Sequence, residues 1–399
     1  MSKTRNIALA LVLTVGVTLM TGCTTFDNFK EAFFSEKGAA ADTVKIGILE
    51  PQTGNDSEKG QMEIEGIELA HEIAGEVLGK KVELVYADTQ SSIYVAESAV
   101  TDLIDKKPVI VLGSYGEAVS LVASQKLGKV KIPAIAITAT NPLIIKNNEY
   151  YFRVTFTDAS QGKALADYVF EELEQAKAGI IKMENEDTTS ELVRQFTAEM
   201  EKLTEDENCI AASVQISPKA KDYKGYLEKI KASGVKAVFM PVSLKTADKV
   251  FAEAQKIGLR DVTFVAPKDW HNNDLIELQN RYQGIKIAVA SNFMSTSAEE
   301  TADKDILYNQ FLKAYQDKFG ESEPPEETVL GFDAYMIGLQ AIEKAGSIDG
   351  YLVKEALKGT NHFKGASGEI SFDETGEPTK PINVDVIKDG KFVSVYTAK

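Results

Sequence analysis

The sequence predicts an α/β protein of two successive lobes, each a parallel sheet covered by helices. Three observations carry this. Short, near-continuous apolar runs alternate with longer amphipathic stretches, the pattern of strands buried on both faces between helices. The alternation comes in two sets of similar size. A length of 399 residues leaves room for two cores.

In the first set "VKIGILE" (44–50) reads as a buried strand. A helix is expected over 60–78, with Ile67, Ala70, Ile73, Ala74 and Val77 on one face. "VELVYAD" (82–88) is the second strand, 93–105 the next helix and "PVIVLG" (108–113) the third strand. A helix starting near Glu117 leads to "IPAIAIT" (132–138). The second set has strands at "AGIIKME" (178–184), "VKAVFMPV" (235–242), "VTFVAP" (262–267) and "IKIAVASNF" (285–293). Helices are expected over roughly 159–176, 188–203, 221–232 and 245–257. Two further helices, near 303–319 and 327–345, precede an ending of strands and polar turns, in which "KDG" signals a hairpin. Ligands in open parallel sheets bind beyond the carboxyl ends of the strands, so two facing lobes would form a cleft.

The first 22 residues read as an export signal. Lys3 and Arg5 precede the 14-residue apolar run "IALALVLTVGVTLM", shorter than the ~18–20 residues a membrane-spanning helix needs. "LMTGCTT" follows and resembles a lipobox, in which Cys23 would be lipidated and become the new N-terminus. Residues 23–42 then serve as anchor and tether, with an r.m.s. span of roughly 25 Å. Cleavage removes only Lys3 and Arg5, taking the formal charge from −16 to −18. With Cys23 lipidated, Cys209 has no disulfide partner, so stability must come from the core. The expected place is outside the cytoplasmic membrane, tied to it by lipid.

Composition narrows the function. Sixty acidic residues against 44 basic ones give a surface that repels nucleic acid. Walker, dinucleotide, nucleophile-elbow and HExxH patterns are absent from the sequence, and His71, His271 and His362 are widely separated. His71, in a Glu-rich helical stretch, reads as a solvated side chain. No cofactor, metal or catalytic role is expected.

The ordered segments "KIGILEPQTG", "GIELA", "VLGKKVELVYAD", "VIVLGSYGEAVSLVAS", "IPAIAITATNPLI", "YYFRVTFTDASQGKALADY", "FDAYMIGLQAIEKAG" and "GEISFDETGE" resemble the substrate-binding proteins of branched-chain amino-acid ABC importers, the Leu/Ile/Val-binding family. The resemblance implies a type I periplasmic-binding fold, two Rossmann-like lobes joined by three crossovers near 155–158, 290–294 and 376–382. Lobe one would hold 43–156 plus 293–377, and lobe two 157–292 plus 378–399. It implies a monomer that closes on an amino acid or similar small ligand and delivers it to a membrane permease. A subunit that signals to a receptor kinase would use the same lobes.

The family places a ligand-binding Ser where this chain has Glu117, in a loop that also holds Ser114 and Tyr115. The following strand end matches it at Thr138 and Thr140. Elsewhere the chain departs from the pattern. A stacking Tyr aligns with Lys59, a Tyr-Gly pair with Asp187-Thr188, and a second aromatic with Ser243. The acid that pairs with the ligand's ammonium aligns with Lys268, beside Asp269.

Several residues keep two readings. Ser114 and Glu117 have the spacing of a capping box, in which Glu117 would only serve its helix; alternatively Glu117 faces Lys59 or Lys268 across a polar cleft. Either way a carboxylate there opposes a ligand carboxylate, by roughly 4 kcal/mol at 4 Å and an effective dielectric of 20. Lys59 and Lys268 are either solvated face residues or cleft residues. Trp270 is either a stacking platform or a packed side chain.

Overall fold

The computed structural model describes residues 43–185, 189–282, 284–293, 306–320 and 324–398. Its first sheet forms from the first set of apolar runs. In chain order the elements are β1 (Thr43–Glu50), α1 (Ser57–Ile73), β2 (Glu76–Val77), β3 (Lys80–Asp88), α2 (Ile93–Asp105), β4 (Ile110–Gly113), α3 (Glu117–Val130), β5 (Ala134–Ala136) and β6 (Tyr151–Arg153). The strand order is β2-β3-β1-β4-β5-β6. β1, β4, β5 and β6 pair in parallel, with Ile48 opposite Leu112 and Ala136 opposite Arg153.

Successive residues of one strand enter different cores. Ile48, Ile110, Leu112 and Ile135 pack with Ile64, Ile67 and Phe332 on one face. Leu49, Val111, Ala134 and Ala136 pack with Val100, Leu103 and Leu127 on the other. That two-sided burial is why these strands read as unbroken apolar runs.

The second sheet follows with α4 (Asp158–Asp167), β7 (Ala178–Met183), α5 (Ser190–Thr204), β8 (Ile210–Ile216), α6 (Lys224–Ser233), β9 (Ala237–Phe239), α7 (Leu244–Ile257), β10 (Thr263–Ala266), α8 (Asn273–Arg281) and β11 (Lys286–Ser291). α4 runs on into a π turn, Tyr168–Glu172. The chain then returns to the first lobe with α9 (Ile306–Phe319), α10 (Glu326–Ala345) and α11 (Gly350–Lys358). A small antiparallel sheet follows, β12 (Phe363–Gly365), β13 (Gly368–Phe372) and β14 (Pro378–Thr379). Finally β15 (Ile382–Lys388) and β16 (Lys391–Ala398) complete the second sheet, ordered β16-β15-β11-β10-β9-β7-β8. Their antiparallel hairpin turns at Asp389 and Gly390, both at positive φ, where "KDG" predicts it.

α10 seats its first turns directly on α1. A Cβ on Gly66 would lie 2.0 Å from the Thr328 carbonyl oxygen, and one on Gly331 would lie 2.3 Å from that of Glu63. Thr328 Oγ1 donates to the Met62 carbonyl at 3.0 Å. The two glycines therefore let the helix backbones touch, and Glu63 is carried into the interior by this contact.

Five elements differ from expectation. The helix expected over 60–78 ends at Ile73, because the chain turns at Leu78–Gly79 to pair β2 with β3; Ile73 is accordingly exposed. β8 lies at the sheet edge with alternating exposure, and β6 is only three residues long. α8 and α11 are short helices between clearer signals. His71 is half-buried rather than solvated, its Nδ1 3.0 Å from the Tyr335 hydroxyl. Cys23 and the export segment lie outside the described residues.

Candidate functional site

The carboxyl ends of β1, β4 and β5 converge on a polar group. Glu50 ends β1 and is fully buried; its Oε2 accepts from the Tyr115 backbone N–H at 2.7 Å. Glu63 of α1 is equally buried, and its Oε1 accepts from the Thr138 hydroxyl. The remaining oxygens, Glu50 Oε1 and Glu63 Oε2, have no other donor, and the two carboxyls are hydrogen-bonded to each other. A proton held between the two oxygens satisfies both, and two ionised carboxylates would leave both without a donor. Burial pushes Glu50 well up, and the Glu63 charge adds to it. Burial likewise pushes Glu63 up to about 7, against the hydrogen bonds from Glu50 and Thr138.

Glu117 opens α3 but does not cap it. The N-cap is Gly116, without a side-chain cap bond, and Ser114 is fully buried with its hydroxyl donating to the Tyr115 carbonyl at 3.1 Å. The capping box expected from the spacing is therefore not formed. Glu117 instead reaches the loop after β5. Its Oε1 accepts from the Thr140 N–H at 2.7 Å and the Thr140 hydroxyl at 3.1 Å, and its Oε2 from the Asn141 N–H at 2.9 Å. Behind that loop the buried Arg153 donates to the Ala139 carbonyl at 3.0 Å and the Asn141 carbonyl at 2.7 Å, with Glu377 3.1 Å from its Nε. The loop's N–H groups thus point to Glu117 and two of its carbonyls to Arg153.

The second lobe contributes from the end of β10. The Lys268 backbone N–H donates to Gln161 Oε1 at 2.6 Å, and its ammonium lies 3.2 Å from Glu326 Oε1 and 3.6 Å from Asp269 Oδ1. Burial opposes the Lys268 charge, yet Glu326, Asp269 and Glu327 outweigh it and its pKa is raised. Because Glu326 begins α10, this ion pair spans the lobes. Asn292, at the crossover after β11, donates to Glu326 Oε1 at 2.7 Å and Thr155 Oγ1 at 3.1 Å. Asp158, the first residue of α4, lies beside the Thr140 side chain. Burial pushes its carboxyl up to about 6, and the charges of Asp269 and Glu117 add to the shift.

The structure therefore brings Tyr115, Glu117, Thr138 and Thr140 together at one set of strand ends, and joins Lys268 to both Glu326 and Asp269. Lys59 pairs with Glu327 at 2.6 Å, so neither lysine faces Glu117 as its partner. Two expectations are corrected or reduced. Trp270 is 1% exposed, donates to the Val242 carbonyl at 2.6 Å and packs edge-on against Phe251, so it is a core side chain and offers no platform. Ser243 is exposed and caps α7 by accepting from the Thr246 N–H at 3.3 Å. Asp187 lies outside the described residues.

Sequence reasoning missed Glu50, Glu63, Asp158, Arg153 and Glu326. An acid closing an otherwise apolar strand, as in "GILE", was the one available signal. Among the described residues, no group of three or more His, Cys, Asp or Glu side chains could hold a metal ion, and no helix is long and apolar enough to cross a membrane.

Two parallel-sheet lobes with polar groups converging at their strand ends define a bilobal solute-binding protein. The chain belongs to the periplasmic binding protein family, which matches residues 43–391. It is an extracytoplasmic binding protein and not an enzyme. Among curated relatives, Leu/Ile/Val-binding protein homolog 1 of Brucella abortus is 26% identical over 348 residues, 86% of this chain and 90% of that protein. Among solved structures, the leucine binding protein LivK of Thermotoga maritima matches with a TM-score of 0.74 and 28% identity, covering 89% of this chain and 98% of that one. The branched-chain amino acid transporter substrate binding protein LivJ of Streptococcus pneumoniae, solved with isoleucine, gives 0.73 and 25%, with 88% and 99% covered.

Proposed function

We propose that this protein is the lipid-anchored solute-binding component of an ABC importer, holding an amino acid or related small polar metabolite between its lobes and presenting it to the permease. Lobe one is 43–156 plus 293–377 and lobe two 157–292 plus 378–399, with Cys23 as the lipid attachment point. The relatives named for leucine, isoleucine and valine support the ligand's size class. The observation that carries the specificity is Glu117. Its carboxylate uses the Thr140 and Asn141 N–H groups that would otherwise receive an anion, so plain leucine, isoleucine and valine are not the ligands. Tyr115, Thr138, Thr140, Lys268 and Asp269 remain the side chains proposed to meet the solute, and Lys59 is held by Glu327.

A thermal-shift screen of residues 24–399 against amino acids, amides, nucleosides, sugars and small organic acids tests this. A ligand at 100 times its Kd adds about 2.7 kcal/mol, a visible rise in Tm. A rise with a small polar solute supports the reading; none with any class contradicts it. Anchoring is tested separately by Cys23→Ala, which is expected to release the protein from the membrane fraction.

A further inference from the structure

The cleft holds more acid than its own bases neutralise. Lys59 is matched by Glu327, and Lys268 is shared between Glu326 and Asp269. Arg153 stands behind the 139–141 loop beside Glu377. Among the described residues no cation lies within ion-pair distance of Asp158 or Glu117. Both nevertheless crowd Thr140: Glu117 accepts from its N–H and hydroxyl, and Asp158 lies beside the same side chain.

A cluster of acids can be merely a solvated rim, but two buried atoms beside Lys268 speak for a ligand. Glu326 Oε2 and Asn292 Oδ1 have no hydrogen-bond donor, in residues 4% and 0% exposed. Their partner atoms are already joined to each other, Asn292 Nδ2 to Glu326 Oε1, and Oε1 also meets the Lys268 ammonium. Asp158 and Glu326 both lie within electrostatic reach of that same ammonium. What the site lacks is donors and positive charge. A cationic amine supplies both, and a carboxylate group supplies neither.

We propose that the ligand is a cationic amine without a free carboxylate, whose N–H donors are received by Asp158, Asn292 and Glu326 while Glu117 holds the place a ligand carboxylate would need. This rests on the solute-binding reading above and names the solute's class. Asp158 is then the residue that sets specificity for charge.

The test uses the intact, detergent-solubilised protein and four probes: leucinamide, leucine and 4-methylpentanoate, which share one hydrocarbon and differ in charge, and butane-1,4-diamine. Leucinamide or the diamine is expected to raise Tm while leucine and 4-methylpentanoate do not. Asp158→Asn is expected to weaken amine binding about tenfold or more. In the wild type, lowering the pH from about 7.5 to about 5.5 is expected to weaken it about fourfold, because a carboxyl pushed to about 6 must first ionise. The pH series does not depend on the variant folding. A larger shift with leucine or 4-methylpentanoate than with leucinamide overturns the amine proposal and leaves the solute-binding reading standing. No shift with these four probes but one with neutral sugars or nucleosides in the wider screen does the same. No shift with any solute overturns both.

Discussion

Glu117 shows how one side chain redirects a site without altering the fold around it. Its two oxygens collect two backbone N–H groups and a hydroxyl from the loop after β5. Bonds of this charge-assisted kind contribute about 1.5–3 kcal/mol. Glu117→Ser is therefore expected to lower stability by about 2 kcal/mol in urea unfolding while freeing the same donors for an anion. Glu63 makes a second residue-scale prediction, from pH. Burial holds its carboxyl up at about 7 against an ordinary value of 4.5, so the folded state binds the extra proton. Its stabilising contribution is complete below 4.5 and is lost as pH rises through about 7. In Glu63→Gln the amide can donate to Glu50 and accept from Thr138 with no shared proton. The Tm difference, variant minus wild type, should grow as pH is raised from about 5.5 to about 8; a constant difference would show that Glu63 does not lose a proton in that range.

At the scale of elements, what the sequence shows depends on how completely a segment is buried. β1, α2 and β7 were legible because both faces of each strand, or one full stripe of the helix, are apolar. β8 was not, because an edge strand exposes alternate residues, and β6 was hidden by a buried Arg153 that reads as a surface residue. The site divides the same way. Glu117 and Thr140 could be located from the turn after β4 and the end of β5, but not the bond between them, which depends on how far α3 lies from the next loop. Glu63 was indistinguishable from Glu65 and Glu68 in the same helix, since only the contact of α1 with α10 buries it. That contact can be tested directly. Gly331→Ala places a methyl group 2.3 Å from the Glu63 carbonyl oxygen, so it should cost about 1–3 kcal/mol and disturb the Glu50–Glu63 pair. The same change at Gly225 of α6, with nothing within 4 Å of the added methyl group, provides a control for steric crowding.

Over the whole molecule, the Lys268–Glu326 ion pair joins the lobes where the chain crosses between them. A buried pair is costly to break from one side, because the remaining charge is left without a partner. Lys268→Met should therefore destabilise the protein by about 3–5 kcal/mol, and adding Glu326→Gln should recover most of that. Simple additivity of the two changes would mean that the residues do not act as a pair. The same crossover region holds Asn292 and Thr155, so Glu326 and the connection between lobes share their hydrogen bonds.

The central claim is that the protein's own carboxylate stands where a solute's carboxylate would bind, and calorimetric titration of leucine into the wild type and into Glu117→Ser tests it most directly. The account predicts no binding heat in the wild type and measurable affinity in the variant. Tight leucine binding by the wild type, unchanged or weakened in Glu117→Ser, would contradict it.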